Sequence, residues 1–136
     1  MKLVLDTNVL LSATFWYGDS FRIVKLIEEK KHELFVSKDI LDEFSRVLDY
    51  KEIKDKVKNK HLEVRNSFQK IVELATLVEP AQKVNVITDD PSDNIFLECA
   101  KAANADCIIS QDQHLLKLKV FEGIRVLTPS DFLKLK

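Results

Sequence analysis

The sequence predicts a three-layer α/β fold, a central and mostly parallel sheet between layers of helices, and three observations predict it. Short apolar runs recur along the chain: Leu3-Val4-Leu5, Leu34-Phe35-Val36, Cys107-Ile108-Ile109 and Ile124-Arg125-Val126-Leu127. Such runs read as strands, the first and third as strands buried on both faces of a parallel sheet. Between them lie stretches whose apolar residues repeat at helical spacing. With only 2 Gly and 3 Pro in 136 residues, there is little turn material for an all-β sandwich. Strands that alternate with helices pair in parallel through helical crossovers.

Each element follows in order. The first strand ends at Asp6, and Phe21, Val24, Leu26 and Ile27 then form one helical stripe. The strand Leu34-Phe35-Val36 runs into Ser37, a good helix cap, and Ile40, Leu41, Phe44, Val47 and Leu48 form the second stripe. A long third stripe contains Leu62, Val64, Phe68, Ile71, Val72 and Ala75. A fourth helix is expected from Asp90 as cap and Pro91 as first helical residue, through Ile95, Phe96, Cys99, Ala100 and Ala103. The run Cys107-Ile108-Ile109 leads into Ser110-Gln111-Asp112 and a short helical turn at Gln113-His114-Leu115-Leu116. After the last strand, Ser130 is the expected cap beyond Thr128-Pro129.

The chain, 15.7 kDa, is the size of one domain, 1–136. Leu, Ile, Val and Phe supply 49 of its residues, enough for a core of its own. A net charge of -1 excludes recognition of nucleic acid or membrane by bulk electrostatics, so such a partner needs a local patch. The one basic stretch is Lys51, Lys54, Lys56, Lys58 and Lys60, opposed by Glu52 and Asp55; it is either a solvated face or a track for a phosphate backbone. Trp16 and Tyr17 stand in an expected loop, as base-stacking residues or as anchors for the core or a dimer. Cys99 and Cys107 read as core thiols of a reducing compartment. The amino end lacks the apolar region of a secretory signal, and no run approaches the ~20 apolar residues of a membrane span. A cytoplasmic location without membrane contact is expected.

Ligands of open parallel sheets sit beyond the carboxyl ends of the strands, and that rule selects Asp6 and Asp112. Glu43 falls at the margin of the second stripe beside Val47, whereas Asp42 lands opposite it. Asp93 lies in the first turn of the fourth helix. Each acid has a plain alternative: Asp6, Asp90 and Asp112 as caps, Asp93 as a partner of the helix dipole, Glu43 as a solvated helix acid. Together they are harder to dismiss, because clustered carboxylates repel one another until protons or a cation neutralise them. Oxygen ligands suit Mg²⁺ or Mn²⁺ and disfavour Zn²⁺, and such ions promote phosphodiester hydrolysis.

At this point the motifs resemble a known family. Leu3-Val4-Leu5-Asp6-Thr7-Asn8-Val9-Leu10, Glu43, Asp90-Pro91-Ser92-Asp93-Asn94 and Ser110-Gln111-Asp112-Gln113-His114-Leu115, in that order, resemble the PIN domain. The resemblance implies a PIN-like α/β/α fold and a metal-dependent endoribonuclease, a VapC-like toxin of a toxin-antitoxin pair. It implies an acidic quartet of Asp6, Glu43, Asp93 and Asp112 holding Mg²⁺ or Mn²⁺, supported by Thr7, Asn8, Asn94 and Ser110. It further implies an RNA substrate, an antitoxin partner and a homodimer or higher homo-oligomer. Two positions depart from the pattern: Gln111 replaces a common Gly, and His114 stands where an acid is frequent. His114, near the acid cluster, invites a general-base role, but the resemblance leaves water activation to metal and carboxylates and makes it a polar residue on an exposed turn; His32 and His61 read as surface residues.

Three rival readings differ in their requirements. A phosphoacceptor receiver domain needs an acidic pair after the first strand, and Asp6 has no acidic neighbour. A phosphatase of the haloacid dehalogenase type needs Asp-x-Asp there, and Asn8 replaces the second Asp. A PIN scaffold without catalysis, binding RNA or a protein, differs from an active enzyme only in whether the site around Gln111 works.

Overall fold

The computed structural model describes residues 1–15, 18–49 and 61–135 of the chain. Trp16, Tyr17 and the basic run from Lys51 to Lys60 lie outside the described residues, as do the side chains of His61, Leu62 and Val64. The strands are β1 (Lys2–Leu5), β2 (Glu33–Val36), β3 (Ala75–Leu77), β4 (Cys107–Ile109), β5 (Val120–Phe121) and β6 (Ile124–Leu127). The helices are α1 (Thr7–Phe15), α2 (Asp19–Glu28), α3 (Lys38–Leu48), α4 (His61–Leu74), α5 (Asn94–Ala103), α6 (Gln113–Leu116) and α7 (Pro129–Leu133), with a 3-10 turn at Pro91–Asp93.

The sheet runs β3-β2-β1-β4-β6-β5, parallel throughout except for the antiparallel β5–β6 pair. The expected α/β class is therefore the observed one. Leu3, Val4, Leu5, Cys107, Ile108 and Ile109 are fully buried, as central strands covered by helices on both faces must be. The chain builds outward from β1 through β2 to β3, then returns to place β4 on the other side of β1. That reversal is a topological switch point, and the carboxyl ends of β1 and β4 flank it. The Asp6 amide donates to the Ile109 carbonyl at 3.0 Å, which carries the pairing one residue past the strand.

Several expectations change. Pro91 opens a 3-10 turn rather than the α-helix, which starts at Asn94, and Asp90 makes no side-chain cap bond. Ser130 is not the cap of the last helix; the Thr128 hydroxyl accepts from the Asp131 amide at 3.1 Å, with Pro129 at the first helical position. Ser37 does cap α3, accepting from the Ile40 amide at 3.3 Å. The third stripe stops at Leu74, because Ala75, Thr76 and Leu77 pair with Leu34, Phe35 and Val36. Helix α1 is a further element, with Val9, Leu10 and Leu11 buried in succession. Strand β5 is the other arm of a two-residue hairpin at Glu122 and Gly123, whose φ of 47° and 83° are the left-handed values a type I′ turn needs. Cys99 and Cys107 are free and buried, as expected of core thiols. His32 is half-buried rather than superficial, its ring edge-on to Phe132 at 5.1 Å. Among the described residues no helix is long and apolar enough to cross a membrane.

Candidate active site

Beyond the ends of β1 and β4 lies a cleft of about 150 Å³, walled by Val47 and Phe96 and lined by Asp6, Thr7, Asn8, Glu43, Asp90, Ser92, Asp93 and Asp112. All four acids expected at the site border it. Each is delivered by a different element, so the cleft exists only when β1, α3, the 3-10 turn and the end of β4 are assembled.

Asp6, buried at the end of β1, is held on both sides. Its Oδ1 accepts from the Val9 amide at 2.8 Å and caps α1, while its Oδ2 accepts from the Ser110 hydroxyl and from the Gln111 amide at 3.3 Å. The plain alternative and the functional position thus coexist. Burial pushes the Asp6 carboxyl up to about 6; the bonds from Ser110, Val9 and Gln111 oppose that rise, and the charge of Asp112 adds to it.

Ser110, fully buried, joins two acids: its hydroxyl donates to Asp6 and accepts from the Asp112 amide at 2.9 Å. Asp112 in turn caps α6, its Oδ1 accepting from the His114 amide at 2.7 Å. Glu43, half-buried on α3, accepts through Oε2 from the Thr7 hydroxyl, which ties the helix margin to the start of α1. The side-chain hydrogen bonds of Asn94 go to backbone groups rather than to the acids. Its Oδ1 accepts from the Ile87 amide at 2.9 Å and its Nδ2 donates to the carbonyls of Ile87, at 2.9 Å, and Pro91, at 3.0 Å, so it fixes the turn that presents Asp93.

Asp93 is 7 % exposed, makes no cap bond, and its Oδ2 is a buried oxygen without a hydrogen-bond partner. Burial, then the charges of Asp112, Asp90 and Glu43, push its carboxyl up to about 7, against the pull of His114. A buried acceptor left unsatisfied costs about 1–3 kcal/mol, more when charged, so this oxygen calls for a proton or a cation. Asp93 makes no side-chain hydrogen bond to the amides of the helix it precedes.

His114 corrects its sequence reading. Its ring is half-buried, with Nδ1 at 3.3 Å from Asp112 Oδ1 and 3.6 Å from Asp93 Oδ2. Among the described residues, the donor atoms of Asp90, Asp93, Asp112 and His114 lie within 4.8 Å of one another. The convergent set therefore shares Asp93 and Asp112 with the expected quartet and adds Asp90 and His114. Asp6 and Glu43 border the cleft, each already accepting hydrogen bonds. Sequence offered one signal for His114, its closeness to the acid at Asp112, and marked Asp90 as a cap and as the start of the motif around Asp93. The orphan oxygen, the carboxylates and the imidazole fit a divalent cation, which supplies the missing partner and offsets the mutual repulsion.

Fold and site together define a mostly parallel α/β domain with an acidic cleft at its switch point. A sequence profile described as PIN domain matches residues 2–114, and the chain belongs to the PIN domain family. PIN domains are generally nucleases. Among solved structures, VapBC2 from Rickettsia felis, crystallised bound to a DNA fragment from their promoter, aligns over 93% of this chain and 97% of its own, with TM-score 0.62 and 14% identity. PAE2754 from Pyrobaculum aerophilum aligns over 98% of this chain and 88% of its own, with TM-score 0.62 and 12% identity. Both likenesses concern the fold. No curated protein matches the chain significantly.

Proposed function

We propose that this protein is a metal-dependent endoribonuclease, the toxin of a toxin-antitoxin pair, with Asp6, Glu43, Asp93 and Asp112 as its acidic site and Mg²⁺ or Mn²⁺ as its cofactor. The observation that carries the reading is the buried Asp93 Oδ2, without a hydrogen-bond partner among three other potential ligands. Family membership supports nuclease chemistry, and the fold shared with a VapBC complex supports the toxin role and an antitoxin partner.

In this reading Asp93 and Asp112 hold the cation together with Asp90. When bound, a divalent ion neutralises phosphate charge and lowers the pKa of a bound water. The chain's own residues prepare the place. Ser110 locks Asp6 and the Asp112 backbone in one register, Thr7 fixes the Glu43 carboxylate, and Asn94 holds the turn carrying Asp93. Val47 and Phe96 shield one wall from water. Beside the acids, Gln111 opens onto a second hollow of about 480 Å³ with Ser12, Asp19, Ser20, Phe21 and Thr128 in its lining, room for nucleotides flanking the cut. The reading includes a cytoplasmic location, with unpaired buried thiols in keeping with it, and self-association that light scattering tests against the 15.7 kDa monomer.

The test is digestion of total RNA by protein freed of any partner, with Mn²⁺ or with EDTA, beside Asp93→Asn. Cleavage that requires both the metal and Asp93 is the expected result. Wild-type cleavage in EDTA, or by Asp93→Asn at the wild-type rate, refutes it. Mn²⁺ binding without cleavage of any RNA favours a binding-only PIN scaffold.

A further inference from the structure

The acid cluster has a feature that a purely oxygen-lined cation site lacks. Among the described residues, the buried side-chain atoms without a hydrogen-bond partner are Asp93 Oδ2 and His114 Nδ1, and they lie 3.6 Å apart. His114 Nδ1 also lies 3.3 Å from Asp112 Oδ1 and hydrogen-bonds to neither carboxylate. Its backbone is fixed, because the His114 amide donates to that same Asp112 oxygen at 2.7 Å. A ring nitrogen at ion-pair distance from two carboxylates, and hydrogen-bonded to neither, takes either a proton or a metal ion.

We infer that His114 is a metal ligand through Nδ1, completing with Asp90, Asp93 and Asp112 a centre of mixed oxygen and nitrogen donors that prefers first-row transition ions such as Mn²⁺ to Mg²⁺. The inference rests on the metal-dependent reading above and narrows its cofactor. Spacing supports it: with metal–ligand distances of about 2.1 Å, adjacent donors of an octahedral ion lie about 3.0 Å apart and opposite ones about 4.2 Å. The observed 3.3 and 3.6 Å match adjacent positions after a small closure, and the 4.8 Å limit on all four donors spans opposite ones. Chemistry supplies the preference. Mg²⁺ is a hard ion that favours oxygen, whereas imidazole suits transition ions, with affinity rising from Mn²⁺ along the series. A general-base role for this atom fits less well, because a base must reach the water it activates and Nδ1 is shut off from solvent.

The experiment uses the full chain and the metals alone as probes. Mn²⁺ bound to the wild-type protein should give a pulsed EPR spectrum with the ¹⁴N coupling of a directly coordinated imidazole. Calorimetry should find Mn²⁺ bound at least about tenfold more tightly than Mg²⁺. His114→Ala should lose the coupling and about tenfold or more in Mn²⁺ affinity while Mg²⁺ affinity changes little. His114→Asp, an all-oxygen set, should turn the preference toward Mg²⁺. Mn²⁺ that binds the wild type and is lost in Asp93→Asn, yet shows no nitrogen coupling, overturns the imidazole ligand and leaves the acidic site standing. Failure of the wild type to bind any Mn²⁺ overturns the ligand and the metal-dependent reading together. The wild-type spectrum depends on no variant's folding.

Discussion

Asp93→Asn should abolish cleavage and at the same time make the metal-free protein more stable, by an amount that grows with pH. The Asp93 carboxyl stands at about 7 in the fold against an ordinary 3.8. Between those values the folded state binds the proton that the unfolded state has released, so stability falls as pH rises from about 4 to 7. Above pH 7 the side chain is ionised in both states and the full penalty applies, about 4 kcal/mol at about 1.4 kcal/mol per pH unit. Halving that for screening at the open mouth of the cleft leaves about 2 kcal/mol. Asparagine keeps the shape, carries no charge and removes the penalty. For a chain of 136 residues, about 2 kcal/mol corresponds to a rise in Tm of roughly 7 °C. Thermal unfolding in EDTA should therefore show that rise at pH 8 and only about a quarter of it at pH 4.5. Adding Mn²⁺ at a hundredfold excess over its Kd should stabilise the wild type by about 2.7 kcal/mol and the variant hardly at all. A variant no more stable than the wild type at pH 8, or a gain that is equal at both pH values, would refute the claim that Asp93 is a strained, unpartnered charge.

Other consequences are testable on the same material. Ser110→Ala removes a donor from Asp6 and the acceptor of the Asp112 amide, and should lower unfolding stability by about 1–3 kcal/mol in urea while cutting RNA cleavage at least tenfold. Asn94→Ala strips the Ile87 amide and carbonyl of their partners, and its urea midpoint should fall by the equivalent of about 2–3 kcal/mol with an unchanged m-value. Burial pushes the Cys99 thiol up to about 12 and raises that of Cys107, so at pH 8 the folded protein should resist alkylation at both until denaturant is added; rapid native labelling of Cys99 would contradict its burial.

How much was legible depended on whether a residue's role was local. Strands β1, β2 and β4 announce themselves because burial on two faces demands an apolar run, and β6 through the alternation of buried Ile124 and Val126 with exposed Arg125. Helix α1 does not, since Val9, Leu10 and Leu11 are all buried and leave no stripe for periodicity to find. Ala75 continues the stripe of α4 by spacing, and only the free edge of β2 turns it into a strand. Strand β5 has two residues and exists through its hairpin. Asp6, Glu43, Asp93 and Asp112 could be chosen because strand ends, a helix margin and a helix start are readable positions. The convergence of Asp90 and His114 with Asp93 and Asp112 could not be read, because it depends on how the 3-10 turn and α6 face each other across the cleft.

The bond between Asp6 and Ser110 joins residues 104 positions apart. During synthesis the first acid is made well before its partner, which emerges only after more than a hundred further residues. Strand β1 can pair with β2 early, but β4, which closes the cleft, comes late. Such long-range closure is slow and follows local structure. A half-made chain therefore carries Asp6 and Glu43 without the rest of the cleft. The wiring of the sheet acts as a timer: the cleft is complete only once β4 and Ser110 have joined β1.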